Sequence, residues 1–186
     1  MRNSAYASTI VVVKNHPAVT KSEIAEKLKE RLQVCCSRIE IAGSIRRRKP
    51  EVGDIELLCV PRFADGVDQL DRELGALFIQ GVLTYRRNKR GSAVYGPKNK
   101  LLLHRESGIG VDVFSTTEEC WPVALVVRTG GQETNKRIAW AALCKGWRFH
   151  AYGSGFSTPD GEVVCRSERD VFEAVGLLYF PPEERE

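Results

Sequence analysis

The sequence has no long apolar run: no stretch approaches the roughly 18 residues that a membrane span needs, and the apolar segment at residues 10–13 is too short for a signal-peptide core. A soluble protein of the cytoplasm, with no membrane partner, is the expectation. Metal-binding cysteine patterns are missing too. The six cysteines form no CxxC pair, and the three histidines are too scattered to complete a zinc site. They read as small buried or half-buried thiols, which sets redox chemistry aside. Neither repeats nor low-complexity linkers occur. A large charge excess is also absent, since the formal net charge is only +4. What the chain does contain is 42% hydrophobic and 28% charged residues, which argues for a packed core and against disorder. At 186 residues, roughly 70% of the unfolded surface can be buried, enough for one domain or two small lobes sharing a core.

Local patterns divide the chain. Thr20 and Glu23 form a capping box ahead of Ile24, Leu28 and Leu32, which give the following helix one apolar stripe. Ile39 and Ile41 alternate with polar neighbours toward Gly43 and Ser44, and residues 54–60 predict a second strand. Helical spacing from Val67 to Phe78 ends at Gly81, and extended runs follow at residues 82–86, 101–105 and 111–114. Beyond residue 115 the pattern predicts helices at 121–127 and 132–145, a two-stranded element at 148–165, and a short helix from Ser167 with Val171, Phe172 and Val175 inward. The three tryptophans are expected to pack in the core or between lobes. The expected fold is α+β, a mixed sheet with helices over residues 1–117 followed by a mainly helical lobe with a short β element over 118–186.

Charge chemistry concentrates in the first part. Asp54 and Glu56 lie two apart on a strand, so both carboxylates face one way while Ile55 and Leu57 point into the opposite, buried side. Two acids aimed together can hold a cation. Asp112 sits between Val111 and Val113 on another apolar strand, where a carboxylate is costly without a metal or basic partner. The turn at Gly43 and Ser44 offers amides and a hydroxyl for phosphate oxygens, and Arg46, Arg47, Arg48 and Lys49 supply cations for a polyphosphate. A second basic block, which includes Arg86, Arg87, Lys89, Lys98 and Lys100, suits template or primer phosphates and a solvated hairpin equally well.

The segment AGSIRRRKPEVGDIELLCV closely resembles the signature of the DNA polymerase X family of nucleotidyltransferases, the polymerase beta relatives: Gly-Ser, an arginine pair, then Gly-Asp-x-Asp/Glu. VDVF resembles the segment bearing that family's third metal-binding acid, and RTGGQETNKRIAWAALCKGW resembles its thumb helix. The terminal SERDVFEAVGLLYFPPEERE is similar to the family's last helix and Pro-Pro-Glu ending. The resemblance runs from about residue 35 to the end.

What it implies is a nucleotidyltransferase palm followed by a thumb. Asp54, Glu56 and Asp112 would hold two Mg²⁺ ions, with Mn²⁺ able to substitute. Gly43, Ser44 and Arg47 would meet the triphosphate of a nucleoside triphosphate, Gly130 and Gly131 its sugar, and Asn135 its base. The implied activity is that of a small, monomeric DNA-directed DNA polymerase of the repair or gap-filling type, acting on a primer–template or gapped duplex. The alternatives are a same-fold nucleotidyltransferase acting on RNA ends, a protein or a small molecule, and a catalytically inactive nucleic-acid-binding module. The first 34 residues are expected to supply at most a helix and an extended segment rather than an amino-terminal lyase domain. Several positions depart from the pattern. Glu56 stands where aspartate is more usual, and Val127 and Arg128 replace an aromatic pair. Gly131 stands for serine, Gly110 for a basic residue before the acid, and Ala139 for an arginine.

Overall fold

The computed structural model describes residues 20–87 and 90–186. The apolar run at 10–13 and Lys89 lie outside the described residues.

Helix α1 (Lys21–Leu32) begins at the expected capping box: Thr20 accepts from the Glu23 amide while the Glu23 carboxylate accepts from the Thr20 amide. Strand β1 (Cys36–Ile41) leads into a four-residue helix, α2 (Gly43–Arg46), then β2 (Ile55–Pro61). A small hairpin, β3 (Phe63–Ala64) and β4 (Val67–Asp68), precedes α3 (Gln69–Ile79), which Asp68 caps by accepting from the Asp71 amide. Strands β5 (Leu83–Tyr85), β6 (Asn99–His104) and β7 (Gly110–Ser115) complete the sheet, in the order β1-β2-β7-β6-β5. Only β2 and β7 pair in parallel; the other pairs are antiparallel.

The later residues form α4 (Trp121–Thr129), α5 (Gln132–Cys144), the strands β8 (Arg148–Phe149), β9 (Gly155–Thr158) and β10 (Gly161–Val164), and α6 (Glu168–Glu173). Their own core joins Val123, Val126, Ile138, Ala142, Phe156, Val171 and Phe172. The expected two-stranded element is a three-stranded sheet, because Arg148 and Phe149 pair with Ser157 and Phe156. Two further expectations are corrected. Trp140 is 67% exposed: α5 turns Thr134, Ile138 and Ala142 inward, one helical repeat apart, and residue 140 falls on the opposite side. Cys144 is exposed rather than buried. No helix among the described residues is long and apolar enough to cross a membrane.

The large sheet has two working faces. Ile55, Leu57 and Cys59 of β2, with Val111 and Val113 of β7, pack against α1 and α3. Leu58, Val60 and Phe114 turn the other way and meet Trp121, Ala124 and Leu125 of α4. By the two-residue period, Glu56 and Asp112 belong to this second face.

Candidate active site

Parallel pairing of β2 with β7 puts Glu56 and Asp112 directly opposite each other in register. Asp54 stands one residue before β2, in a loop whose Val52 and Gly53 carbonyls accept from Lys21 at the start of α1. The three predicted acids are thereby delivered to one edge of one face. Burial, reinforced by the neighbouring Asp112 charge, raises the pKa of Glu56. Burial also raises that of Asp112, and the facing Arg86 offsets this only in part.

Gly43 closes one side of the acids. Its φ is +60°, which favours glycine, and a Cβ there would lie 2.7 Å from Glu56 Oε1, so any side chain at 43 would displace that carboxylate. Ser44 follows on α2, half-buried. Arg47 Nη1 donates to the Thr129 carbonyl at 2.6 Å, which carries the turn after β1 across to the end of α4. On that opposite side, Asn135 Nδ2 donates to the Val127 carbonyl at 2.9 Å, and a Cβ on Gly130 would come within 2.7 Å of Asn135 Oδ1. Among the described residues, five buried side-chain atoms lack a hydrogen-bond partner; Arg47 Nε and Asn135 Oδ1 are two of them, and a third, Asp112 Oδ1, has an ion pair with Arg86 Nη2. Such orphans gather where a ligand would satisfy them.

Gly131 is enclosed differently. A Cβ there would fall 2.0 Å from the carbonyl carbon of Glu186, whose oxygen accepts from the Thr134 amide. There is no room for the serine that the sequence pattern suggests.

The basic candidates separate. Lys98 and Arg87 are exposed, the former with Nζ 5.9 Å from the Tyr152 ring centre and the latter donating to the Gly91 carbonyl at 2.7 Å. Lys100 is corrected: it is 1% exposed and pairs in register with Val113, so it faces the α3 side, with Nζ 3.9 Å from Asp71, and presents no charge to a phosphate. Arg86 is drawn into the acids, pairing through Nη1 with Asp54 and through Nη2 with Asp112 at 2.7 Å.

Residues 124–186 match the family model described as the DNA polymerase beta thumb. The structure as a whole is similar to that of Leishmania infantum polymerase beta in a ternary P/T complex, with a TM-score of 0.68 and 25% identity over 89% of this chain and 73% of that one. The chain is polymerase X-like. A ternary gap complex of the same Leishmania polymerase aligns with a TM-score of 0.69 and 24% identity over 89% of this chain and 67% of that one. No curated protein sequence matches.

Two arginines of this polymerase X-like chain have partners that the sequence does not announce, and Arg46, expected to serve a polyphosphate, is committed to a carboxylate instead. Arg46 makes a bidentate pair with Glu168 at 2.8 Å and also donates to Thr129 Oγ1 at 2.7 Å, while Arg185, fully buried, donates to Glu168 at 2.7 Å. This cluster ties α2 to α6 and the chain end. Arg128 lies 3.6 Å over the Phe114 ring and 5.6 Å from that of Tyr152, and donates to Asn99 Oδ1 at 3.4 Å. It is one of the cations whose field reaches Glu56.

The acids suit a divalent cation: all donors are hard carboxylate oxygens, and a guanidinium stands in as counter-charge. Among the described residues no group of three His, Cys, Asp or Glu is arranged to hold an ion as it stands, with Arg86 wedged between Asp54 and Asp112. A cavity of about 600 Å³ lies elsewhere, between α1 and the turn after β6, and includes none of these residues.

Proposed function

We propose that the chain catalyses metal-dependent nucleotidyl transfer, as a small template-using DNA polymerase that adds a deoxynucleotide to a primer 3′-hydroxyl and releases pyrophosphate. The observation that carries this reading is the in-register pairing of Glu56 with Asp112, with Asp54 beside them and Gly43 closed over Glu56. The relatives seen as ternary P/T and gap complexes support DNA and a nucleotide as the partners. In this reading the palm covers residues 1–117 and the thumb 118–186.

Asp54, Glu56 and Asp112 would hold two Mg²⁺ ions. When bound, such ions supply Lewis-acid activation of the primer hydroxyl and charge stabilisation at the pyrophosphate oxygens. Asp112, whose pKa burial raises, would in its ionised form be the acceptor of the hydroxyl proton. Arg47, with its unpaired Nε, grips the triphosphate together with Ser44 and the Gly43 backbone. Asn135, packed on Gly130 and with a free carbonyl oxygen, approaches the base. The exposed Arg87 and Lys98 are left for DNA phosphates.

The reading is tested by incubating the protein and Mg²⁺ with a one-nucleotide gapped duplex, a single strand, or no nucleic acid, with EDTA as control. Incorporation dictated by the templating base is the expected result. Transfer to other acceptors without template dependence would overturn it in favour of another nucleotidyltransferase, and DNA binding without turnover in Mg²⁺ or Mn²⁺ in favour of a binding module. Arg47→Ala is expected to raise the KM for nucleotide about tenfold or more, the scale of one lost charge-assisted contact, with a smaller change in kcat. Steady-state titration of the nucleotide checks this, and an unchanged KM removes Arg47 from the triphosphate.

A further inference from the structure

Gly110 leaves a gap beside the acids that another strand fills. A Cβ at residue 110 would lie 2.4 Å from both Arg86 Nη1 and Asp54 Oδ1, so the guanidinium occupies the volume that a side chain at 110 would need. Arg86 comes from just beyond β5, its amide donating to the Leu101 carbonyl of β6 at 3.1 Å, and its side chain reaches across β6 to β7. There one planar fork joins two carboxylates, Asp54 and Asp112. An arginine cannot leave such a site by losing its proton; it leaves only by moving away. The side chain is 27% exposed, so it has a route to solvent.

We propose that Arg86 is an exchangeable counter-ion of the acid set, holding Asp54 and Asp112 together in the metal-free protein and giving up its place when a divalent cation enters. This rests on the nucleotidyl-transfer reading for the identity of the cation site. Asp54 and Asp112 would otherwise repel each other, and the one guanidinium that pairs with both offsets part of that repulsion. A divalent ion brings twice the charge to the same oxygens. Metal binding is then a competition in which apparent affinity falls by the fraction of molecules whose site Arg86 has vacated. Arg86 is therefore a positioning residue that sets the metal requirement.

The test is Mn²⁺ binding to the DNA-free protein, followed by the electron paramagnetic resonance signal of free Mn²⁺, with melting temperatures in EDTA and in Mn²⁺. Arg86→Met, which keeps the aliphatic reach without charge, is expected to bind Mn²⁺ about tenfold more tightly than the wild type. It should also melt lower in EDTA and recover more on adding Mn²⁺. Arg86→Lys keeps one charge and cannot bridge both carboxylates; it should fall between the two, and it carries the test if the methionine variant does not fold. Unchanged or weaker Mn²⁺ binding in the folded variants, with the wild type binding normally, overturns the competition and leaves nucleotidyl transfer standing. Failure of wild type and variants alike to bind Mn²⁺ at millimolar concentration overturns the metal site and this inference with it.

Discussion

Asp112→Asn is expected to lower templated nucleotide incorporation at least about a thousandfold, equivalent to about 4 kcal/mol of lost transition-state stabilisation. The substitution keeps the side-chain shape on β7 and removes only the charge. Packing around it is undisturbed, because Val111 and Val113 face the helices and the amide replaces a carboxylate on the other face. The fold therefore has little reason to suffer: burial already pushes the Asp112 pKa up, so the native structure disfavours the ionised form that asparagine eliminates. Arg86 loses one partner and retains Asp54. Single-turnover incorporation on a gapped duplex, together with circular dichroism and a melting curve, separates lost chemistry from lost structure. A variant with native melting and an undiminished rate would remove Asp112 from the reaction and leave the polymerase reading without its third carboxylate.

Glu168→Ala is expected to destabilise the protein by about 3–5 kcal/mol, the usual consequence of stripping one partner from a buried charge cluster. Arg185 has no exposed side-chain surface, and without Glu168 it would share its pocket with Arg46, two cations lacking their common anion. Pairing with a second cation also explains why Glu168 is tolerated inside. Burial alone would raise its pKa, but the hydrogen bonds from Arg46 and Arg185 more than reverse this and hold it below the ordinary glutamate range. A depressed folded-state pKa means that the ionised form contributes stability above the unfolded-state value, and that this contribution is lost as pH falls through the folded one. Melting temperature in the wild type should accordingly decline on acidification below about pH 4.5, while the alanine variant, lower throughout, shows a shallower decline. Differential scanning calorimetry should place the variant about 6–20 °C below the wild type at neutral pH. Equal melting temperatures would mean that the cluster is replaceable by solvent.

Because Glu168 lies 122 residues from Arg46, no local pattern announces the pair; its visibility depends on α6 docking beside α2. The same holds for Arg86 and Asp54, 32 residues apart, the one just beyond β5 and the other just before β2, with β6 and β7 between those strands. Lys100 shows the complementary limit. Its place in a basic block suggested a phosphate contact, yet register with Val113 turns it inward. Composition reports that charges are nearby, and pairing decides which face they take.

The sequence alone determined the capped start of α1, the start of α6 at Ser167, and the helix and strand faces of the individual segments, because each follows from periods of 2 or 3.6 residues and from local cap chemistry. Tertiary structure alone decided that Arg86 would lie between Asp54 and Asp112, that Arg46, Glu168 and Arg185 would clamp α2 to α6, and that the backbone of Glu186 would fill the space over Gly131. The physical reason is that alternation states which way a side chain points, whereas its partner depends on strand order, register and helix docking, which are settled by the whole chain folding at once.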